Sequence, residues 1–104
     1  MNILRIDTSN NLVTRVELGI QGKSYVLEEK REKPGDQNVL DLVEKLLKKQ
    51  NITLKDINSI EINSGPGSFT GLRVGASIAN ALAFALGIPV NSKKIGEIIT
   101  PKYS

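Results

Sequence analysis

The sequence predicts an α/β fold, a five-stranded mixed sheet in the order β-β-β-α-β-α-β with helices packed on it. Three observations support this fold class. Residues 1–30 form short alternating segments separated by turn residues, which is typical of an antiparallel meander. Two later segments space their apolar residues as helices do, and a β-branched stretch lies between them. With 104 residues, we expect a single lobe over 1–104.

Composition narrows the classes of function. Hydrophobic residues make up 39% of the chain, but there are only two Phe, two Tyr and no Trp, so we expect an aliphatic core. The absence of Cys and His excludes disulfides, thiolate or imidazole metal sites and the commonest general base. The lysines behind the net charge of +3 indicate a solvated face, with a contact to RNA as the alternative. Without a secretory signal or a comfortable membrane span, a cytoplasmic protein is expected.

The first 63 residues contain four predicted strands and one helix. Strands are expected at 2–8, 12–19 and 24–30, with a hairpin turn over 20–23. A charged loop leads to a helix over 39–50, which has one broad apolar face and its acidic residues before its basic ones. After a short helical turn near 53–56, a fourth strand is expected over 57–63.

A glycine-rich loop and a long helix then follow, over 64–87. Pro66 lies between Gly65 and Gly67 and favours an irregular turn, after which Ser68 or Thr70 can cap the helix. The helix ends where Gly87 precedes Ile88 and Pro89. A fifth strand is predicted over 88–91, and a last segment has helical spacing at Ile95, Ile98 and Ile99.

This long helix carries two apolar rows of different size. Large side chains recur at Val74, Ile78, Leu82 and Leu86, and we expect them to cover the sheet. The second row contains small residues, which let another helix approach closely. We expect either a partner subunit or a second helix of this chain to cover that row, which consists of Gly71, Gly75, Ala76, Ala79 and Ala83.

The element order, Asp7-Thr8-Ser9 after the first strand, and the run GPGSFTGLRVG at 65–75 strongly resemble the TsaB/YeaZ family. That family is glycoprotease-like, with an actin/Hsp70-type, ribonuclease H-like fold, and takes part in threonylcarbamoyladenosine modification of tRNA. The resemblance covers essentially the whole chain, including LLKKQNITLKDI and GIPV. It implies the N-terminal lobe of such a protein, with the second lobe missing.

The resemblance implies a non-catalytic scaffold, an accessory subunit and not an enzyme. Family members pair through the two helices of this lobe, with themselves or with the catalytic sister subunit TsaD, so tRNA is approached only indirectly. We expect a homodimer for the isolated chain. Carried over to this sequence, the partner interface comprises Val39, Val43, Leu46, Gly71, Arg73, Gly75, Ala76, Ala79 and Ala83.

Besides lacking the second lobe, and with it the far wall of any nucleotide cleft between lobes, the chain departs from the family pattern at two places. Gly35 stands where relatives usually carry a His before the first helix. Ile95 and Ile99 align with the two metal-binding His of the catalytic sister, and Ile cannot ligate a metal. We therefore expect no metal and no catalytic residues.

A second hypothesis is a minimal nucleotide- or phosphate-binding domain using ATP and Mg²⁺. One carboxylate, two hydroxyls and a glycine-rich helix start are compatible with phosphate and Mg²⁺. The alternative is that these residues only shape turns, since the loop lacks the lysine of a P-loop. A gene remnant without a partner is the third option. The residues in question are Asp7, Thr8, Ser9, Gly65, Gly67, Ser68 and Thr70.

Overall fold

The structure is a computed structural model that describes residues 1–10, 12–30, 39–63, 65–67 and 69–91. In this part of the chain, four strands form one sheet, and two helices and a single 3₁₀ turn accompany it. The strands are β1 (Asn2–Asp7), β2 (Val13–Ile20), β3 (Lys23–Lys30) and β4 (Ser59–Ile62). The helices are α1 (Val39–Lys49) and α2 (Phe69–Leu86), and the 3₁₀ turn spans Leu54–Asp56.

The sheet is mixed, as predicted, with the spatial order β3-β2-β1-β4. The strands β1, β2 and β3 form an antiparallel meander, whereas β4 lies parallel to β1, with Leu4 opposite Ile60. Parallel pairing requires a crossover connection, which α1 and the 3₁₀ turn provide between β3 and β4.

The hairpin between β2 and β3 has a two-residue turn, Gln21-Gly22. Both residues have a positive φ, 49° and 81°, as a type I′ turn requires. The turn matches the twist of the strands, and β2 and β3 then pair without interruption from Ile20–Lys23 to Val13–Lys30.

Both helices pack on one face of the sheet, where the alternating apolar residues of the strands point. Leu4, Ile6, Val16, Leu18 and Ile60 are buried there. The helix α1 lies over β2 and β3, and α2 lies over β4 and β1. The core is aliphatic, as the composition predicts.

The predicted fifth strand is reduced to a single bridge between Val90 and Ile60. Asn91 adopts a φ of 50°, which turns the chain away from an extended course. Its side-chain amide then bonds to both backbone groups of Ile62: Oδ1 accepts from the nitrogen at 2.7 Å and Nδ2 donates to the carbonyl at 3.2 Å. The amide thus takes the place of a further strand residue, so the prediction of a strand over 88–91 is wrong. The predicted segment after Ser92 lies outside the described residues.

Candidate partner-docking surface

The small row of α2 faces this chain's own sheet. Gly75 packs on Thr8, the residue that follows β1, and a Cβ built on Gly75 would overlap the Thr8 hydroxyl. Thr8 is 1% exposed, and its Oγ1 donates to the carbonyl of Gly71 at 2.5 Å. The glycines therefore let α2 sit directly on the end of β1.

The remaining small residues follow the same course. Ala76, Ala79 and Ala83 are buried, and the last two belong to the main core. The prediction that a partner subunit or a second helix covers this row is therefore wrong. The sheet covers it, because only side chains without bulk fit between α2 and the strand ends beneath.

The interface residues predicted on α1 are core residues as well. Val39, Val43 and Leu46 are each at most 2% exposed and belong to the same cluster as the buried strand residues. They are unavailable to a partner in this fold, so their assignment to the interface is also wrong. Of the predicted interface residues, Arg73 is exposed on α2.

The predicted large row of α2 does not cover the sheet directly. All four of its residues, Val74, Ile78, Leu82 and Leu86, are only partly buried, and the first three pack against the core. This follows from the closeness of α2 to β1: the side chains that fit beneath the helix are small, and the large ones lie beside it.

The outward face of α2 has a second row of small residues, Ser77, Ala81 and Ala85, all exposed. They recur at i, i+4 spacing, so they form a shallow track along the helix. Phe84 lies next to this track and is 85% exposed. The same spacing is visible in the sequence, but it cannot be distinguished there from the inward row.

An apolar groove runs beside this track, between α2 and α1. Leu40 of α1, 54% exposed, forms one side, and Ile78, Leu82 and Ala81 of α2 form the other. The groove has a volume of about 280 Å³. Leu40 also borders a second groove of about 360 Å³, which runs along α1 to Ile52, Thr53 and Leu54.

The rim of this second groove is charged. Glu44 and Lys48 line it and approach each other to 3.7 Å as an exposed i, i+4 pair. Charged rims around an apolar centre are typical of protein interfaces. The track on α2, Phe84 and the groove between the two helices together define the helix face, formed by Leu40, Ser77, Ile78, Ala81, Leu82, Phe84 and Ala85. The second groove adjoins this face at Leu40.

The described residues of the nucleotide hypothesis meet where the parallel strands β1 and β4 end. Asp7 Oδ1 accepts from Ser9, from the nitrogen at 3.0 Å and from Oγ at 2.6 Å. Asn63 Nδ2 donates to Ser9 Oγ at 3.1 Å, and Asn63 Oδ1 accepts from the nitrogen of Gly65 at 3.1 Å. These polar groups satisfy one another within the two turns.

Gly67 packs on the same turn. A Cβ on Gly67 would lie 2.7 Å from the Cβ of Ser9, so a glycine is needed for this close approach. Ser68 and the side chain of Thr70 lie outside the described residues. Within the described part of the chain, no group of three Asp or Glu could hold a metal ion.

The sheet face opposite the helices is polar. Arg5 of β1 donates to Glu61 of β4 at 2.8 Å and to Glu17 of β2 at 3.2 Å. Arg15 approaches Glu17 at 3.5 Å. These ion pairs connect three neighbouring strands. Each pair contributes little to stability, because its side chains are partly solvated.

The mixed sheet with both helices on one face, and the glycine contact between α2 and the end of β1, give the described residues an α/β fold with an exposed helix face. The chain belongs to the family described as TsaD: tRNA N6-adenosine threonylcarbamoyltransferase, whose family model matches residues 29–92.

Named relatives place the chain within this family. It is 37% identical to the tRNA threonylcarbamoyladenosine biosynthesis protein TsaB of Buchnera aphidicola subsp. Schizaphis graminum, over 85% of this chain and 41% of that protein. It is 36% identical to TsaB of Escherichia coli, over 86% of this chain and 38% of that protein. A tRNA N6-adenosine threonylcarbamoyltransferase of Ralstonia pickettii is 50% identical over 52% of this chain and 16% of that protein.

A solved structure gives the same answer. YeaZ from Pseudomonas aeruginosa superposes with a TM-score of 0.81 at 31% identity, covering 90% of this chain and 45% of that one. The resemblance to the TsaB/YeaZ family and the α/β fold class are therefore confirmed. The chain spans less than half the length of these relatives. No helix in the described ranges is long and apolar enough to cross a membrane.

Proposed function

We propose that the chain is a non-catalytic partner subunit in the synthesis of threonylcarbamoyladenosine in tRNA, and that its helix face docks a TsaD-like subunit. The names of its relatives support the pathway. The TsaD-like partner belongs to the same family, so both subunits offer a related pair of helices. The contact with tRNA is then made by the partner, and this chain acts indirectly.

The observation that carries this proposal is the exposure of Phe84 beside the small track. An aromatic side chain on a flat helix surface is a typical anchor of an interface. The track of Ser77, Ala81 and Ala85 allows a second helix to cross at close range, and the groove at Leu40 accepts its larger side chains. Such a face also admits a second copy of the chain, which competes with the TsaD-like subunit for the same residues.

The test replaces Ala81 with Arg. Ala81 is exposed and Arg is a good helix former, so the isolated chain should keep its thermal unfolding midpoint. A long charged side chain on the track holds a crossing helix away. We expect calorimetric titration with the threonylcarbamoyltransferase of the same organism to show a loss of affinity of about 100-fold or more.

Lys45→Glu is the matched control, because Lys45 is exposed on the side of α1 away from the groove. It should bind the partner as the unchanged chain does. Equal affinity of the Ala81→Arg variant and the unchanged chain would overturn the assignment of the helix face.

The proposal includes no nucleotide cofactor. Two observations support leaving a nucleotide out. Asp7, Ser9 and Asn63 hydrogen-bond to one another, and the Thr8 hydroxyl bonds to the carbonyl of Gly71 inside the fold. Titration of the chain with ATP and Mg²⁺ should give no heat of binding. A dissociation constant in the low micromolar range would instead favour the nucleotide-binding alternative.

A further inference from the structure

The outer edge of β3 is a second surface that the helix face does not use. Within the described residues β3 ends the sheet, and no strand pairs with its outer side. It spans eight residues, pairs with β2 without a bulge and contains no proline. Bulges, prolines and short length protect many such edges, and this strand has none of them. Its only protective feature of this kind is charge, at Lys23, Glu28, Glu29 and Lys30.

The hairpin fixes which backbone groups point outward. The pair that closes a two-residue turn, here Ile20 and Lys23, is hydrogen-bonded, and hydrogen-bonded pairs alternate along the ladder. The backbone N–H and C=O groups of Ser24, Val26 and Glu28 therefore point away from β2. All three residues are exposed, Val26 to 41%.

We propose that this edge pairs in antiparallel fashion with β3 of a second copy, about a two-fold axis at Val26. Val26 then faces Val26 of the second copy in a hydrogen-bonded pair, and Ser24 faces its Glu28. On the other face of the sheet, Lys23 meets Glu29 of the second copy and Tyr25 meets its Leu27. The occupant is a second copy because the strand is complementary to itself in both charge and side-chain size.

Several registers have a two-fold axis and keep the outward backbone N–H and C=O groups of β3 hydrogen-bonded. Charge selects the register with its axis at Val26 among them. Moving the axis two residues towards the C-terminus places Glu28 opposite Glu28, which opposes like charges, and an axis at Leu27 removes the pair between Lys23 and Glu29. An axis at Tyr25 removes the attraction between Lys23 and Glu29 and shortens the overlap. The axis at Val26 joins opposite charges at both ends and no like charges.

The surface is separate from the helix face, so the two proposals can fail independently. The experiment uses the full chain carrying Ala81→Arg, which removes association through the helix face. Val26→Cys is added to this background, and the chain has no other cysteine. In a hydrogen-bonded antiparallel pair the two Cα atoms are about 5.5 Å apart, which a disulfide spans.

Under mild oxidation we expect the Val26→Cys chain to form a covalent dimer. Ser24→Cys is the matched control on the same edge. In the proposed register the two copies of residue 24 are offset by four residues, about 14 Å, so this variant should stay monomeric. A mixture of Ser24→Cys and Glu28→Cys chains should cross-link. Equal cross-linking of Val26→Cys and Ser24→Cys, or none of Val26→Cys, would overturn the proposal.

A charge exchange tests the same pairing without a covalent bond. In the Ala81→Arg background, Lys23→Glu should weaken the dimer about tenfold in analytical ultracentrifugation, because two repulsive pairs replace two attractive ones. Adding Glu29→Lys restores opposite charges and should restore the dimer. Unchanged thermal midpoints show that the single chain is intact. A dimer insensitive to Lys23→Glu, or not recovered by the exchange, contradicts the register.

Discussion

At the scale of single residues, the contact between Thr8 and Gly75 sets the position of α2. The Thr8 hydroxyl bonds to the carbonyl of Gly71 and occupies the space where a Cβ of Gly75 would be. One buried hydroxyl thus serves both as a hydrogen-bond donor and as the surface on which the helix rests. This contact sets the distance between α2 and the sheet, and therefore the position of the helix face on the opposite side of α2.

Gly75→Ala should lower the free energy of unfolding by about 1–3 kcal/mol. The added methyl group overlaps the Thr8 oxygen, and this strain outweighs the gain in helix propensity of about 1 kcal/mol. The cost is measured by chemical denaturation.

The double variant with Thr8→Ala identifies the cause. Thr8→Ala alone loses the hydrogen bond to the carbonyl of Gly71, but it also removes the oxygen that a Cβ at position 75 would overlap. The double variant should therefore lose less unfolding free energy than the two single variants lose in sum. Ser77→Ala, at an exposed position of the same helix, should change little. Additive effects of the Gly75 and Thr8 changes would show that the overlap is not what makes Gly75→Ala unstable.

At the scale of elements, two turns set where strands begin and end. The Gln21-Gly22 turn fixes the register of β2 and β3 and thereby which groups of β3 point outward. At the opposite side of the described sheet, the amide of Asn91 bonds to the backbone of Ile62. In both cases the backbone bends at a residue with positive φ, next to a strand of the sheet.

The hairpin turn can be improved by Gln21→Asn. Asn tolerates the left-handed conformation that Gln21 adopts, so the change should raise the free energy of unfolding by about 0.5 kcal/mol. Thermal unfolding followed by circular dichroism measures it.

Gly22→Ala is the opposite case: nothing lies within 4 Å of an added Cβ, so its cost of about 1 kcal/mol is purely conformational. A stable Gly22→Ala variant would contradict this assignment of the turn.

At the scale of the whole molecule, folding and partner binding use different faces of the same helices. The inner residues of α1 and α2 form one aliphatic core with the sheet. The outer residues leave an aromatic side chain and two grooves exposed. Changes on the two faces should therefore separate stability from binding.

Leu46→Ala and Leu40→Ala, on one helix, test this separation. Leu46 is 2% exposed, so its truncation should cost about 2–5 kcal/mol of unfolding free energy. Leu40 is 54% exposed, so its truncation should change stability by less than about 1 kcal/mol but weaken binding of the TsaD-like subunit. Denaturation and calorimetry on the same preparations measure both. A destabilised Leu40→Ala chain with unchanged affinity would contradict the proposed helix face.

The sequence by itself determined the order of the elements as far as α2, the hairpin and the aliphatic core. These follow from local periodicity, from turn residues such as Gly22 and from composition. The motif at 65–75 also identified the family, because an eleven-residue run is specific in a way that amphipathicity is not.

Tertiary structure alone decided which face of α2 points inward. Both faces are apolar and both carry small residues at i, i+4 spacing, so hydrophobicity could not distinguish Gly71, Gly75 and Ala79 from Ser77, Ala81 and Ala85. The choice depends on the clearance above the end of β1, where buried Thr8 leaves room for a glycine and nothing larger. That clearance depends on residues that are far apart in the chain, so no local sequence pattern predicts it.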